Sequence, residues 1–107
     1  MPYFIRARTY LRYAEEEYRR GHFREAFVLA GKAIWALSQV EAPREKPEPP
    51  HLWEALKQAA EPEVVDFFRR GWERLEQAGE EEARQLAAQA LRKAREILSP
   101  ILGPSLR

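Results

Sequence analysis

Tyr10-Leu11-Arg12-Tyr13-Ala14-Glu15-Glu16-Glu17-Tyr18-Arg19-Arg20-Gly21-His22-Phe23-Arg24-Glu25-Ala26, continuing to Ala30, Lys32 and Ala33, is the stretch that decides the fold. Before the glycine, Phe4, Ala7, Leu11, Ala14 and Tyr18 recur at steps of three and four, one apolar stripe on a helix of about five turns. Pro2 suits the first turn of that helix, where a missing N–H leaves no intrahelical bond unmade. Gly21 stops it. After the glycine, Phe23, Ala26, Phe27, Ala30, Ala33, Ile34, Leu37 and Val40 form the stripe of a second helix. A connection this short makes the two pack antiparallel as a helical hairpin.

Further along, Glu41 to Pro50 holds four of the eight prolines and no apolar period, and reads as a stiff solvated loop. A short helix follows from His51 with Leu52, Ala55, Leu56 and Ala59. Pro62 opens the next, whose stripe is Val64, Val65, Phe68, Trp72 and Leu75. Gly79 punctuates again. The last helix carries Ala83, Leu86, Ala87, Ala90, Leu91, Ala94, Ile97 and Leu98, and is expected to end at Ser99-Pro100. The expected fold class is therefore all-α: an up-down antiparallel bundle of four long helices and one short helix. Residues 1–102 form its single domain and 103–107 a loose C-terminal tail.

Composition agrees and excludes alternatives. The 107 residues suffice for one core and not two. Four Val, four Ile and the single Thr9 cannot furnish a sheet, whereas Ala, Leu, Glu and Arg favour helices. Eighteen Lys and Arg against seventeen Asp and Glu leave +1, a balance with no global pull toward nucleic acid or an anionic membrane. This charge-rich, thermophile-like composition includes no cysteine, which removes disulfides and thiol chemistry. No run approaches the roughly 18 apolar residues of a membrane span, and Met1-Pro2-Tyr3-Phe4-Ile5-Arg6 lacks the apolar core of a signal peptide. A cytoplasmic location is the resulting expectation.

The chemistry-bearing residues are few. His22 and His51 are the only histidines, without the Glu-x-x-His spacing of a helical metal site, so no metal and no cofactor are expected. Glu15 and Glu16 stand four before Arg19 and Arg20, a surface-pair spacing. Glu80-Glu81-Glu82 lies where negative charge complements a helix dipole. No serine sits in a nucleophile turn and no glycine-rich loop cradles phosphate. Arg69, Arg70 and Arg74 on the fourth helix, and Arg84, Arg92 and Arg95 on the fifth, could contact phosphates. Glu73 and Glu96 stand four residues from Arg69 and Arg92 and offer local neutralisation, so nucleic acid is not the favoured partner.

One feature exceeds a plain bundle. Val28, Gly31 and Trp35 form a second apolar line on the second helix, well away from its main stripe. A helix with two apolar faces is either central in its bundle or covered by a partner. With Tyr10 and Tyr13 alongside, Val28, Gly31 and Trp35 are the candidate interface, for a homodimer or a small protein partner.

Two families share this pattern. The spacing of Tyr10, Ala14, Gly21, Phe23, Ala26 and Ala33 resembles a tetratricopeptide hairpin, which would imply peptide binding in a concave groove. It occurs once, whereas solenoids need about three repeats. Ala14, Tyr18, Gly21, Phe23, Ala26, Ala30 and Ala33, then a polar loop, then His51-Leu52-Trp53-Glu54-Ala55-Leu56, resemble the HEPN superfamily in order and length over nearly the whole chain. Active members of that superfamily are metal-independent ribonucleases carrying an arginine and a histidine separated by four to six residues, late in the chain and paired across a dimer. Arg44 and His51 match that spacing. They span the proline loop, however, and no histidine follows. The resemblance thus implies a non-catalytic interaction or scaffolding module, partnered with a nucleotidyltransferase or with itself. Arg44 and His51 are the alternative catalytic pair.

Overall fold

In the computed structural model, which describes residues 2–39 and 45–103, the chain is all-helical, with no strand among those residues. The order is α1 (Pro2–Arg19), α2 (Phe23–Ala36), α3 (His51–Ala55), α4 (Pro62–Leu75) and α5 (Glu80–Leu102). A single 3₁₀ turn, Leu56–Gln58, extends α3. No helix among the described residues is long and apolar enough to cross a membrane. Arg44, Val40 and the tail beyond Gly103 lie outside the described residues.

The α1–α2 hairpin turns on Gly21, which has φ +83°. Its N–H donates to the Tyr18 carbonyl at 3.0 Å and the His22 N–H to the Glu17 carbonyl at 2.8 Å. These two bonds close the helix end that a glycine in the left-handed region permits. Pro62 stands in the first turn of α4, and Glu80, Glu81 and Glu82 occupy the first turn of α5.

Two helix ends differ from the sequence expectation. α2 stops at Ala36, short of Val40, because the next three N–H groups bond three residues back: Leu37 to Ile34, Ser38 to Trp35 and Gln39 to Ala36. That tightening consumes orphan carbonyls of the last turn. α5 runs through Pro100 to Leu102 and closes at Gly103. A proline so near the end deprives the helix of only one of its last bonds, and Pro100 is exposed.

α2 is the central element, touching every other helix. Phe27, Ala30, Ala33 and Ile34 are fully buried, against Ala7, Leu11 and Ala14 of α1 and Ala90, Ala94 and Leu98 of α5 in one continuous core. Small residues let these backbones approach closely. On the other side, α3 drives Trp53 into α2 at Gly31, where an added Cβ would lie 2.6 Å from the indole Cζ3. A matching notch at Gly71 of α4 receives Phe27, with an added Cβ 2.8 Å from the ring tip. Phe27, Trp53 and Phe68 then form one aromatic cluster, with Trp53 stacked on Phe68 at 5.4 Å and edge-on to Phe27 at 5.7 Å.

The notch at Gly31 sets an expected outcome. Alanine in mid-helix normally gains up to about 1 kcal/mol over glycine. Here the buried indole cannot yield, and overpacking of about 1–3 kcal/mol outweighs that gain. Gly31→Ala therefore lowers the Tm, while Gly79→Ala, with nothing within 4 Å of the added methyl, changes it little. Thermal unfolding of both variants checks this, and a Tm for Gly31→Ala at or above wild type would contradict the packing described.

Candidate functional site

α2 presents two rows of side chains on the side facing α4. Arg24, Val28 and Lys32 follow one another at four-residue steps, and Glu25 and Leu29 lie on the adjacent row. Together with Trp72 of α4 and Glu48 of the segment before α3, they line a groove of about 360 Å³. Val28, Leu29 and Trp72 are half-buried and pack on the core edge. The Arg24 guanidinium lies 4.7 Å from the centre of the Trp72 ring, a cation–π contact. Across the groove the Lys32 Nζ donates to Glu48 Oε2 at 2.6 Å. The Lys32 side chain is only 13 % exposed and that of Glu48 66 %, so an exposed surface acid neutralises a largely sunken cation.

A larger concavity, about 580 Å³, lies between α3 with its 3₁₀ turn and α4. Its charges satisfy one another: Lys57 Nζ donates to Glu54 at 2.9 Å and Arg69 to Asp66 at 2.6 Å. The Lys57 hydrogen bond holds the Glu54 carboxyl below its usual range. With its charge already paired, this hollow has less to offer a partner than the α2/α4 groove.

The residues singled out from the sequence separate clearly. Gly31 and Trp35 are buried by the chain itself, Gly31 beneath Trp53 and Trp35 at 3 % exposure. Their apolar line faces into the molecule, with Trp53 of α3 over Gly31, and of that line only Val28 reaches the surface. Tyr13 is 52 % exposed on α1. Tyr10 is half-buried, with Lys46 Nζ 5.6 Å from its ring centre. His51 is exposed at the start of α3, and Arg44, the other member of the alternative pair, lies outside the described residues. No group of three His, Cys, Asp or Glu among the described residues is placed to hold a metal.

Five of the six arginines considered for phosphate contact have a carboxylate partner. Arg69 and Arg70 share Asp66, at 2.6 and 2.9 Å, instead of Arg69 using Glu73. Arg74 pairs with Glu82, Arg84 with Glu81, and Arg95 with Glu15 across α1 and α5. Arg92 has no ion pair among the described residues. Hydrogen bonds donated to the Glu82 and Glu81 carboxylates push the Arg74 and Arg84 guanidiniums above their ordinary range.

Arg24, Leu29, Lys32, Glu48 and Trp72 were not foreseen as a site. Trp72 reads as one more residue of the α4 stripe, and Arg24 stands 48 positions earlier, so no local period joins them. The chain matches no known protein family, and neither a curated protein nor a solved structure matches it.

The surface pairs give a pH expectation. A hydrogen bond from Arg84 holds the Glu81 carboxyl below the ordinary value of 4.5, and one from His22 does the same for Glu17. A carboxyl whose folded pKa is depressed contributes stability above its unfolded pKa, and that contribution is lost as the pH falls through the folded value. Between pH 6 and pH 3 the Tm of Glu81→Gln should therefore drop less than that of wild type. Equal acid losses would show that the pair adds nothing to stability.

Proposed function

We propose that this chain is a small non-catalytic protein-interaction module, an up-and-down helical bundle of the HEPN-like kind, working through the α2/α4 groove. The observation that carries the reading is the groove's make-up: a half-buried tryptophan with an arginine stacked on it, set beside aliphatic residues. Tryptophan and arginine are enriched among the residues that dominate binding energy at protein interfaces, in pockets whose surroundings exclude water. The hairpin, the proline-rich segment and the short α3 keep the order on which the HEPN resemblance rests, and these support the same reading. A second copy or a small protein is the partner of this module.

A photo-crosslinking residue at Leu29, with Gln85 on the exposed side of α5 as control, tests the proposal in cells that make the protein. The expected result is a discrete protein adduct from position 29, absent at position 85 and lost when Val28→Glu is added. No protein adduct at 29, or an equal one at 85, overturns the assignment of the groove. RNA cleavage by the purified chain that His51→Ala abolishes would overturn its non-catalytic character and favour the Arg44/His51 alternative.

A further inference from the structure

We propose that the outer side of α1 is a second interaction surface, which takes an acidic amphipathic helix of a partner protein packed along the row Ile5, Arg8, Arg12, Glu15 and Arg19. The row shares no residue with the α2/α4 groove and does not depend on how that groove is read.

Helix geometry makes the row. Within α1 these residues follow one another at steps of three and four. At about 3.6 residues per turn such steps keep to one side of a helix, and they are the seam spacing by which one helix packs along another. The row runs beside the buried stripe of Ala7, Leu11 and Ala14, on the flank where Glu15 reaches Arg95 of α5. Ile5 is 57 % exposed, Arg12 and Arg19 are exposed, and Arg8 is half-buried.

The charges along the row are unbalanced. Sequence spacing offers Arg19 a partner in Glu15, four residues before it, yet that carboxylate pairs with Arg95. Glu16 and Glu17 pair with Arg20, and Glu17 also with His22. Every carboxylate of α1 is thereby committed. Arg8, Arg12 and Arg19 have no hydrogen bond, ion pair or ring contact among the described residues. On the neighbouring flank of α5, Arg84 and Arg95 are matched by Glu81 and Glu15, so no acid there is free to answer the row. Arg8 and Arg12, one turn apart, repel one another until a carboxylate comes between them. A chain of net charge +1 thus gathers uncommitted positive charge along one helix side.

The make-up of the row selects the occupant. Two copies of this chain laid in register along it would set Arg12 against Arg12, whichever way the helices ran. A nucleic-acid strand would engage the arginines but leave Ile5 idle, and the row holds no aromatic ring on which a base stacks. A helix with carboxylates at the same steps and an aliphatic residue opposite Ile5 uses the whole row, each guanidinium presenting its fork to a carboxylate.

Fluorescence anisotropy tests the proposal with a labelled helical peptide about three heptads long. It carries glutamate at the seam positions and one leucine to meet Ile5, and a twin has glutamine in place of glutamate. At low salt the wild type should bind the glutamate peptide at least tenfold more tightly than its twin. Arg8→Glu/Arg12→Glu should weaken binding tenfold or more, and Ile5→Ser several-fold. Arg69→Glu/Arg70→Glu, with the same change in net charge, should leave it within about threefold. Unchanged helical circular dichroism confirms that each variant folds. The proposal is overturned if the glutamate peptide does not bind, if the two double variants lose equally, or if Ile5→Ser has no effect. Duplex RNA that displaces the peptide at lower concentration than unlabelled peptide does would assign the row to a polyanion instead. Val28→Glu separates the two surfaces: peptide binding unchanged by it belongs to α1, whereas a loss would put the peptide in the groove and overturn the proposal. A missing crosslink at Leu29 would remove the groove reading and leave this one standing.

Discussion

The rest of the structure depends on one steric fit, the Trp53 indole seated against the bare backbone of α2 at Gly31. α3 has only five residues, far below the length at which a helix holds itself together in water. It exists because Leu52, Trp53 and Leu56 are buried on its inner side. Trp53 brings the greatest bulk of the three, and a ring that size can enter only where the facing helix has no side chain. The indole Nε1 is buried without a hydrogen bond among the described residues, so the tryptophan serves as area and shape. Leaving such a donor unpaired costs about 1–3 kcal/mol. Burial of the ring and its contacts with Phe27 and Phe68 must exceed that.

The same cluster builds the candidate site. Phe27 fills the Gly71 notch and fastens α4 to α2, and Trp72 follows Gly71 directly in the chain. The Trp72 ring lies 6.0 Å from Trp53, with one side toward the core and the other beneath Arg24. The groove therefore has a floor continuous with the core, which holds Arg24 on a rigid aromatic face instead of leaving it to sample solvent. A flexible surface arginine loses rotamer freedom on binding, about 2 kcal/mol at most. Stacking has already removed part of that cost.

What was legible in the sequence was what local period can encode. Ala7, Leu11 and Ala14, or Ala87, Ala90 and Ala94, announce a buried stripe because each helix repeats it within its own length. Gly21 announces a turn because a left-handed φ is a local demand. The Val28, Gly31 and Trp35 line was also legible as a second apolar face, but what covers it was not. At Gly31 it is Trp53 of α3, twenty-two positions on, across a segment whose sequence says only that it is not helical. Arg69 pairing with Asp66 in preference to Glu73 was a choice between two spacings that helix geometry permits alike. Pro100 misled because a proline is read as a stop, whereas this near a helix end it forfeits one bond and the chain still continues to Leu102, where the Gly103 N–H closes the helix on the Ser99 carbonyl.

The surface charges make a last distinction between fold and site. The pairs at three- and four-residue spacing, such as Arg20 with Glu16 and Glu17, act within single helices and are screened by solvent. Those that join different elements do something else: Glu15–Arg95 ties α1 to α5, Arg74–Glu82 spans the α4–α5 turn, and Lys32–Glu48 holds the segment before α3 against α2. The last of these fixes one wall of the groove and neutralises that end. The opposite end keeps its two charges open over a rigid aromatic floor. A groove closed electrostatically at one end and open at the other carries its uncommitted charge at a single place, over the one part of its floor that the core holds rigid.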